Sequence, residues 1–217
     1  AGPDYLVPGG ETAGIRLSTE GLLVTRLDDG SPAKKAGLRV CDTILSIDGQ
    51  RVFTAKDACG HLSPGKGVRV CVRRGEKTAE FFITPEKTST GYRLGVSVRD
   101  NISGIGTITF YDPETGVCGA LGHGVAGLTG TQPVRTTGGV FVSSRVTDVK
   151  KGVRGTPGEL HGSFDVTNVL GSIRQNETHG IFGTLKASPD REAVKVADAS
   201  DVHTGPAVIL ANVEGTQ

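Results

Sequence analysis

Gly30-Ser31-Pro32-Ala33-Lys34-Lys35-Ala36-Gly37-Leu38, followed by Asp42-Thr43-Ile44-Leu45-Ser46-Ile47-Asp48-Gly49, decides how the front of this chain folds. Ser31 suits a helix N-cap, Pro32 the first helical position and Gly37 the stop, so the segment reads as one helical turn. Ile44 and Ile47 belong to a strand that ends in the turn Asp48-Gly49. Upstream, Leu22-Leu23-Val24-Thr25 reads as a short apolar strand. Downstream, Thr54 to Leu62 reads as a second helix, and Val68 to Val72 and Ala79 to Thr84 as two more strands. Cys71 falls within the alternation Val68, Val70, Val72 and is expected to pack as a small buried side chain.

Composition agrees with a β-rich reading. The 217 residues include 33 glycines, about double the usual ~7% and without a collagen period. With 10 prolines beside them, the glycines imply many short strands joined by tight turns. A chain that is 36% hydrophobic and 22% charged buries a core. The net charge of +1 excludes a general attraction to nucleic acid or to an anionic membrane. No apolar run approaches the ~20 residues of a membrane-spanning helix. The chain starts at Ala1 without a leader, so any anchor is expected ahead of it. Cysteines at 41, 59, 71 and 118 match no zinc spacing and are read as free thiols. Gly104-Ile105-Gly106 lacks the rest of a nucleotide motif. No metal and no cofactor is expected.

After the polar stretch Pro85 to Gly91 the pattern turns strongly to strand. Tyr92 to Arg99 alternates, with Leu94, Val96 and Val98 on one face. Thr107 to Tyr111, the turn Asp112-Pro113-Glu114-Thr115-Gly116 and Val117 to Leu121 form a hairpin. Val140 to Val146, Ile181 to Leu185 and Ala207 to Leu210 add strands, and the glycine spacers suit barrel corners. His123 stands apart from the other four histidines. It follows the return strand directly, with Gly122 and Gly124 beside it. That uncrowded position suits a general base; a histidine accommodated in a tight turn is the alternative. No G-x-S-G run appears, so no complete Ser–His–Asp set is present, although Asp148 and Asp165 follow His123.

The 30–49 region resembles a bacterial PDZ domain, with Cys41 where such domains usually carry glycine. PDZ domains are small β-barrels with two helices, and they bind a peptide by adding it to a sheet edge. The resemblance implies a carboxylate-holding loop at Pro8-Gly9-Gly10-Glu11-Thr12-Ala13-Gly14-Ile15. Amides of Ala13, Gly14 and Ile15 would receive the peptide, Ile15 and Leu17 would begin the groove strand, and the 54–62 helix would form the other wall. The plainer reading is that Gly9, Gly10 and Gly14 only turn the chain.

Longer motifs resemble the stage IV sporulation protein B (SpoIVB) family. They are Tyr5-Leu6-Val7-Pro8-Gly9-Gly10, the 104–111 run Gly104-Ile105-Gly106-Thr107-Ile108-Thr109-Phe110-Tyr111, and Gly119-Ala120-Leu121-Gly122-His123. Gly155-Thr156-Pro157-Gly158-Glu159, Gly180-Ile181-Phe182-Gly183-Thr184-Leu185 and Gly205-Pro206-Ala207-Val208-Ile209-Leu210 extend the likeness. Such proteins are sporulation serine endopeptidases with a membrane anchor, a PDZ domain and a chymotrypsin-like peptidase domain. They act between the mother-cell and forespore membranes. There they cleave the regulator of a membrane-embedded metalloprotease, which leads to activation of a late sigma factor. The resemblance puts the catalytic histidine at His123. The family's G-x-S-G-S-P run and its aspartate have no counterpart in these residues. The expected organisation is a mainly β chain with a PDZ domain at 1–86, a linker at 87–91 and the first part of a chymotrypsin-like barrel at 92–217. The fragment alone is expected to be inactive. A PDZ scaffold without catalysis of its own is the rival reading.

Overall fold

The computed structural model describes residues 2–127, 132–155, 158–212 and 215–216, the last two in backbone only. Thr156 and Pro157 of the quoted motifs lie outside them. In chain order the first elements are β1 (Tyr5–Pro8), β2 (Thr12–Leu27), α1 (Pro32–Ala36), β3 (Thr43–Ile47), β4 (Gln50–Arg51), α2 (Ala55–Gly60), β5 (Val68–Arg74) and β6 (Lys77–Ile83). There follow β7 (Glu86–Thr88), β8 (Gly91–Arg93), β9 (Val96–Tyr111), β10 (Val117–Ala120), β11 (Thr136–Lys150), β12 (Glu159–Glu177), β13 (Gly180–Leu185) and β14 (Val194–Lys195). Among the described residues no helix is long and apolar enough to cross a membrane, and no three His, Cys, Asp or Glu side chains gather as metal ligands.

Two compact units form, one from Ala1–Leu17, Ser103–Val125 and Gly138–Gln217, the other from Ser18–Ile102 and Ala126–Thr137. These units are drawn differently from the expected 1–86 and 92–217.

The unit holding Ser18–Ile102 is built on the 30–49 signals. Ser31 caps α1 by accepting from the Lys34 amide, and Gly37 ends it in the left-handed conformation. Asp48 and Gly49 both take positive φ, 50° and 80°, which matches the twist of a two-residue hairpin between β3 and β4. α2 is shorter than the expected 54–62 helix, starting from a reciprocal capping box between Thr54 and Asp57. The order β2-β3-β5-β6 makes an antiparallel sheet. Its inner face buries Leu22, Val24, Ile44, Ile47, Val68, Val70, Val72 and Ile83. Cys71 is a correction: one residue out of phase with the three valines, it projects from the opposite face and is only half-buried. Cys41 adopts φ 73°, the left-handed position for which glycine is the unstrained choice. Beside it, buried Asp42 accepts two hydrogen bonds from the Arg74 guanidinium, both at 2.7 Å, and one from the Arg39 amide at 2.8 Å.

The other unit is a barrel. Its sheet runs β14-β1-β9-β10-β13-β12-β11-β2, and β2 also pairs with β9, so the path β9-β10-β13-β12-β11-β2 closes on itself. Closure satisfies the strand edges that an open sheet would leave bare. The interior is filled by Ala13, Ile15 and Leu17 from β2, at a spacing of two, by Ile108 and Tyr111 from β9, either side of a register shift against β10, and by Phe141, Ile173 and Ile181 from the strands opposite. One expected strand is missing. Ala207 to Leu210 lies outside any strand, with Val208 and Ile209 87% and 90% exposed. An apolar run becomes a strand only where a neighbour takes its backbone groups. The segment's nearest main-chain tie is the Asn212 amide to the Gly10 carbonyl, 3.0 Å.

Candidate functional site

Ala13, Gly14, Ile15 and Leu17 do not form a peptide-receiving loop. They sit near the start of strand β2, all buried, and Ala13, Ile15 and Leu17 belong to the barrel core. The reason is periodicity. Ala13, Ile15 and Leu17 alternate at the two-residue spacing of a barrel interior, and the closed sheet buries them. Gly14 lies where a Cβ would come within 2.6 Å of Phe164 Cβ and Val142 Cγ2, so it serves close strand packing.

A groove does lie against α2, but a different segment makes its other wall. A cavity of about 150 Å³ is lined by Ala55, Ala58, Cys59 and Leu62 on the helix side, and by Leu94, Gly95, Val96 and Val98 opposite. Leu22 and Ile44 line it as well. The 94–98 segment is tied down by its backbone: the Asp28 amide donates to the Gly95 carbonyl and the Ala33 amide to the Leu94 carbonyl, both at 3.0 Å. Gly95 takes φ +75°, and a Cβ there would lie 2.3 Å from Ser31 Cβ. Only glycine permits that approach. Arg93 also lines the groove, half-exposed and paired with Glu86 at 2.8 Å and Asp28 at 3.3 Å. The alternation of Tyr92 to Arg99 reads as one strand, but the structure breaks it at Leu94-Gly95, between β8 and β9. The signal that distinguishes it is a glycine inside a strand, which marks a close backbone approach.

His123 is exposed in the turn that follows β10. Leu121 takes φ 59°, an uncommon conformation for a branched residue, and its amide donates to the Thr107 carbonyl at 2.9 Å. After the turn, Asn176 on β12 grips Val125 twice: its Oδ1 accepts from the Val125 amide at 2.8 Å and its Nδ2 donates to the Val125 carbonyl at 2.9 Å. The His123 loop is therefore fixed at both ends by main-chain contacts to neighbouring strands. His123 Nδ1 lies 3.0 Å from the Gly124 carbonyl oxygen. A carbonyl only accepts, so the neutral ring makes this bond with its hydrogen on Nδ1, the form in which Nε2 has a free lone pair. That is the tautomer a general base needs. Neither Asp148 nor Asp165 bonds to it. Asp165 is engaged by Thr167, whose hydroxyl and amide hold its carboxyl below the usual range. Cys118, wholly buried in the barrel, has its thiol pushed up to about 11 by burial, which removes it as a nucleophile at neutral pH.

The comparisons with known proteins divide along the same lines. A PDZ domain profile matches residues 23–74. The chain is 38% identical over 68 residues to the serine protease HTRA2, mitochondrial, of Bos taurus, a match covering 31% of this chain and 15% of that protein. It is 34% identical over 76 residues to the putative serine protease HhoB of Synechocystis, 34% of this chain and 18% of that one. The chain thus spans less than a fifth of the length of these curated relatives. The PDZ domain of the SdrC-like protein from Listeria monocytogenes is a solved structure similar to it, at 21% identity and a TM-score of 0.35, covering 39% of this chain and 93% of that one. The SpoIVB peptidase S55 profile matches residues 90–217, which include the His123 turn, and by that match the chain belongs to the SpoIVB peptidase S55 family.

Proposed function

We propose that this protein is a sporulation signalling serine endopeptidase that cleaves the regulator of a membrane-embedded metalloprotease. The cleavage takes place in the space between mother-cell and forespore membranes and leads to late sigma-factor activation. His123 is its general base, taking the proton of a serine hydroxyl on Nε2. One observation carries the reading: the family-matched segment presents an exposed histidine in a turn tied to the neighbouring strands through Leu121 and Val125. An orienting aspartate must replace the Gly124 carbonyl as the partner of Nδ1. The serine must come from a G-x-S-G-S-P run, which residues 1–217 do not contain. The test pairs two proteins, residues 1–217 alone and a form that also carries that run. Only the second is expected to cut the extracytoplasmic part of the regulator and to react with a serine-directed fluorophosphonate. Stoichiometric labelling of residues 1–217 alone would sink the assignment.

The groove between α2 and Leu94–Val98 takes a peptide with an aliphatic side chain, in either the protease or the rival scaffold reading. Its support is the apolar lining and a size of about 150 Å³. Ala58→Trp fills that space. Partner-derived peptides are expected to bind the variant at least tenfold more weakly, roughly the loss of one buried aliphatic contact. If regulator cleavage persists while peptide binding disappears, the groove is dispensable for catalysis of this substrate. Unchanged peptide affinity would place the ligand elsewhere.

A further inference from the structure

Between Leu121 and Val125 the chain reads Gly122-His123-Gly124. Glycine imposes almost no backbone preference, and a Cβ at Gly122 would meet nothing within 4 Å. The two ends of the turn therefore decide where the imidazole stands.

The first end is local: the Leu121 amide donates to the Thr107 carbonyl of β9. The second end is remote. Ala120, the last residue of β10, stands in register with Ile181 of β13, and Ile181 with Asn176 of β12. Neighbouring strands lie about 4.8 Å apart, so the turn leaves β10, passes β13 and is fastened to a strand about 10 Å away. Val125 lies outside any strand. Its amide and its carbonyl are both met by the Asn176 side chain, at 2.8 and 2.9 Å. A carboxamide can do this because it donates and accepts as a peptide unit does, whereas an ionised aspartate only accepts. The side chains of Leu121 and Val125 also pack against the barrel core, which keeps the turn attached to the fold without Asn176.

We propose that Asn176 is a positioning residue of the peptidase: acting through Val125, its carboxamide sets where His123 Nε2 stands relative to the serine hydroxyl. The inference rests on His123 being the general base. Proton transfer needs hydrogen-bond reach, and a misplacement of about 1 Å costs roughly 10²-fold in rate.

The test is a double-mutant cycle in the form that carries the G-x-S-G-S-P run. Asn176→Ala lowers kcat for regulator cleavage by about 10²-fold and leaves KM within about twofold. Asn176→Asp, which keeps the bond from the Val125 amide and loses the other, falls between, and it reads the same split if the alanine variant fails to fold. In a His123→Ala background, Asn176→Ala costs no more than about a further twofold, because positioning an absent base has no effect on rate. In the 217-residue chain, Asn176→Ala speeds hydrogen exchange of the Val125 amide at least about tenfold while the Ile108 amide, in the core, keeps its protection. An unchanged kcat in Asn176→Ala overturns the proposal. So does an equal loss in both backgrounds, which would mark general damage to the fold. Near-normal cleavage by His123→Ala overturns the general-base reading and this inference with it, whereas an inactive His123→Ala beside a fully active Asn176→Ala overturns the inference alone.

Discussion

His123→Ala, in a form of the enzyme that carries the G-x-S-G-S-P run, is expected to lower kcat for regulator cleavage by about 10⁴ or more. Without the imidazole the proposed general base is lost, and a neutral hydroxyl is a poor nucleophile. Folding should be unaffected. The side chain is exposed and, among the described residues, makes one hydrogen bond, to the adjacent Gly124 carbonyl. The turn is held instead by Leu121, Val125 and Asn176. Matching unfolding curves with lost cleavage therefore identify a chemical role, and cleavage within tenfold of the unaltered enzyme would remove His123 from the mechanism.

Gly14→Asp is expected to unfold the barrel unit rather than to weaken peptide binding selectively. Gly14 lies in the buried half of β2, where even a Cβ would sit 2.6 Å from Phe164 Cβ and Val142 Cγ2. Aspartate adds that overlap and a carboxylate with no donor provided for it. Overpacking costs about 1–3 kcal/mol and burying an unpaired polar group about as much again or more, so a loss of at least about 3 kcal/mol is expected. Urea unfolding of the variant measures it, with Gly14→Ala as the milder comparison. A folded Gly14→Asp protein of unchanged stability that has lost only its peptide affinity would restore the loop at 13–15 and overturn the buried-strand assignment.

The two variants separate what was legible in the sequence from what was not. α1 was readable residue by residue, because a Ser cap, a Pro start and a Gly stop act through local backbone chemistry. The same holds for the Asp48-Gly49 turn, where both residues tolerate positive φ. The face formed by Val68, Val70 and Val72 was readable from its period of two, and all three are fully buried. His123 was readable as a candidate from its place after a strand and between glycines. Cys71 departs from its expected burial because this sheet buries one face of β5 and Cys71 lies on the other.

What tertiary structure decided was which strands meet. Ala13-Gly14-Ile15 has the same local pattern as a glycine loop opening a groove strand and as the interior of a barrel strand. Leu94-Gly95-Val96 presents the same ambiguity. Local sequence gives φ/ψ tendencies and a two-residue period, but choosing between the two segments requires the distant partners: Phe164 and Val142 packed on Gly14, and Ser31 beneath Gly95. Ala207 to Leu210 shows the converse, a strong strand former that no strand among the described residues pairs with. The sequence by itself determined the class of fold and the capped turn, and it singled out His123 as a candidate. Tertiary structure decided the closure of the barrel and the wall of the groove, because pairing energy comes from residues far apart in the chain, and no local pattern records it.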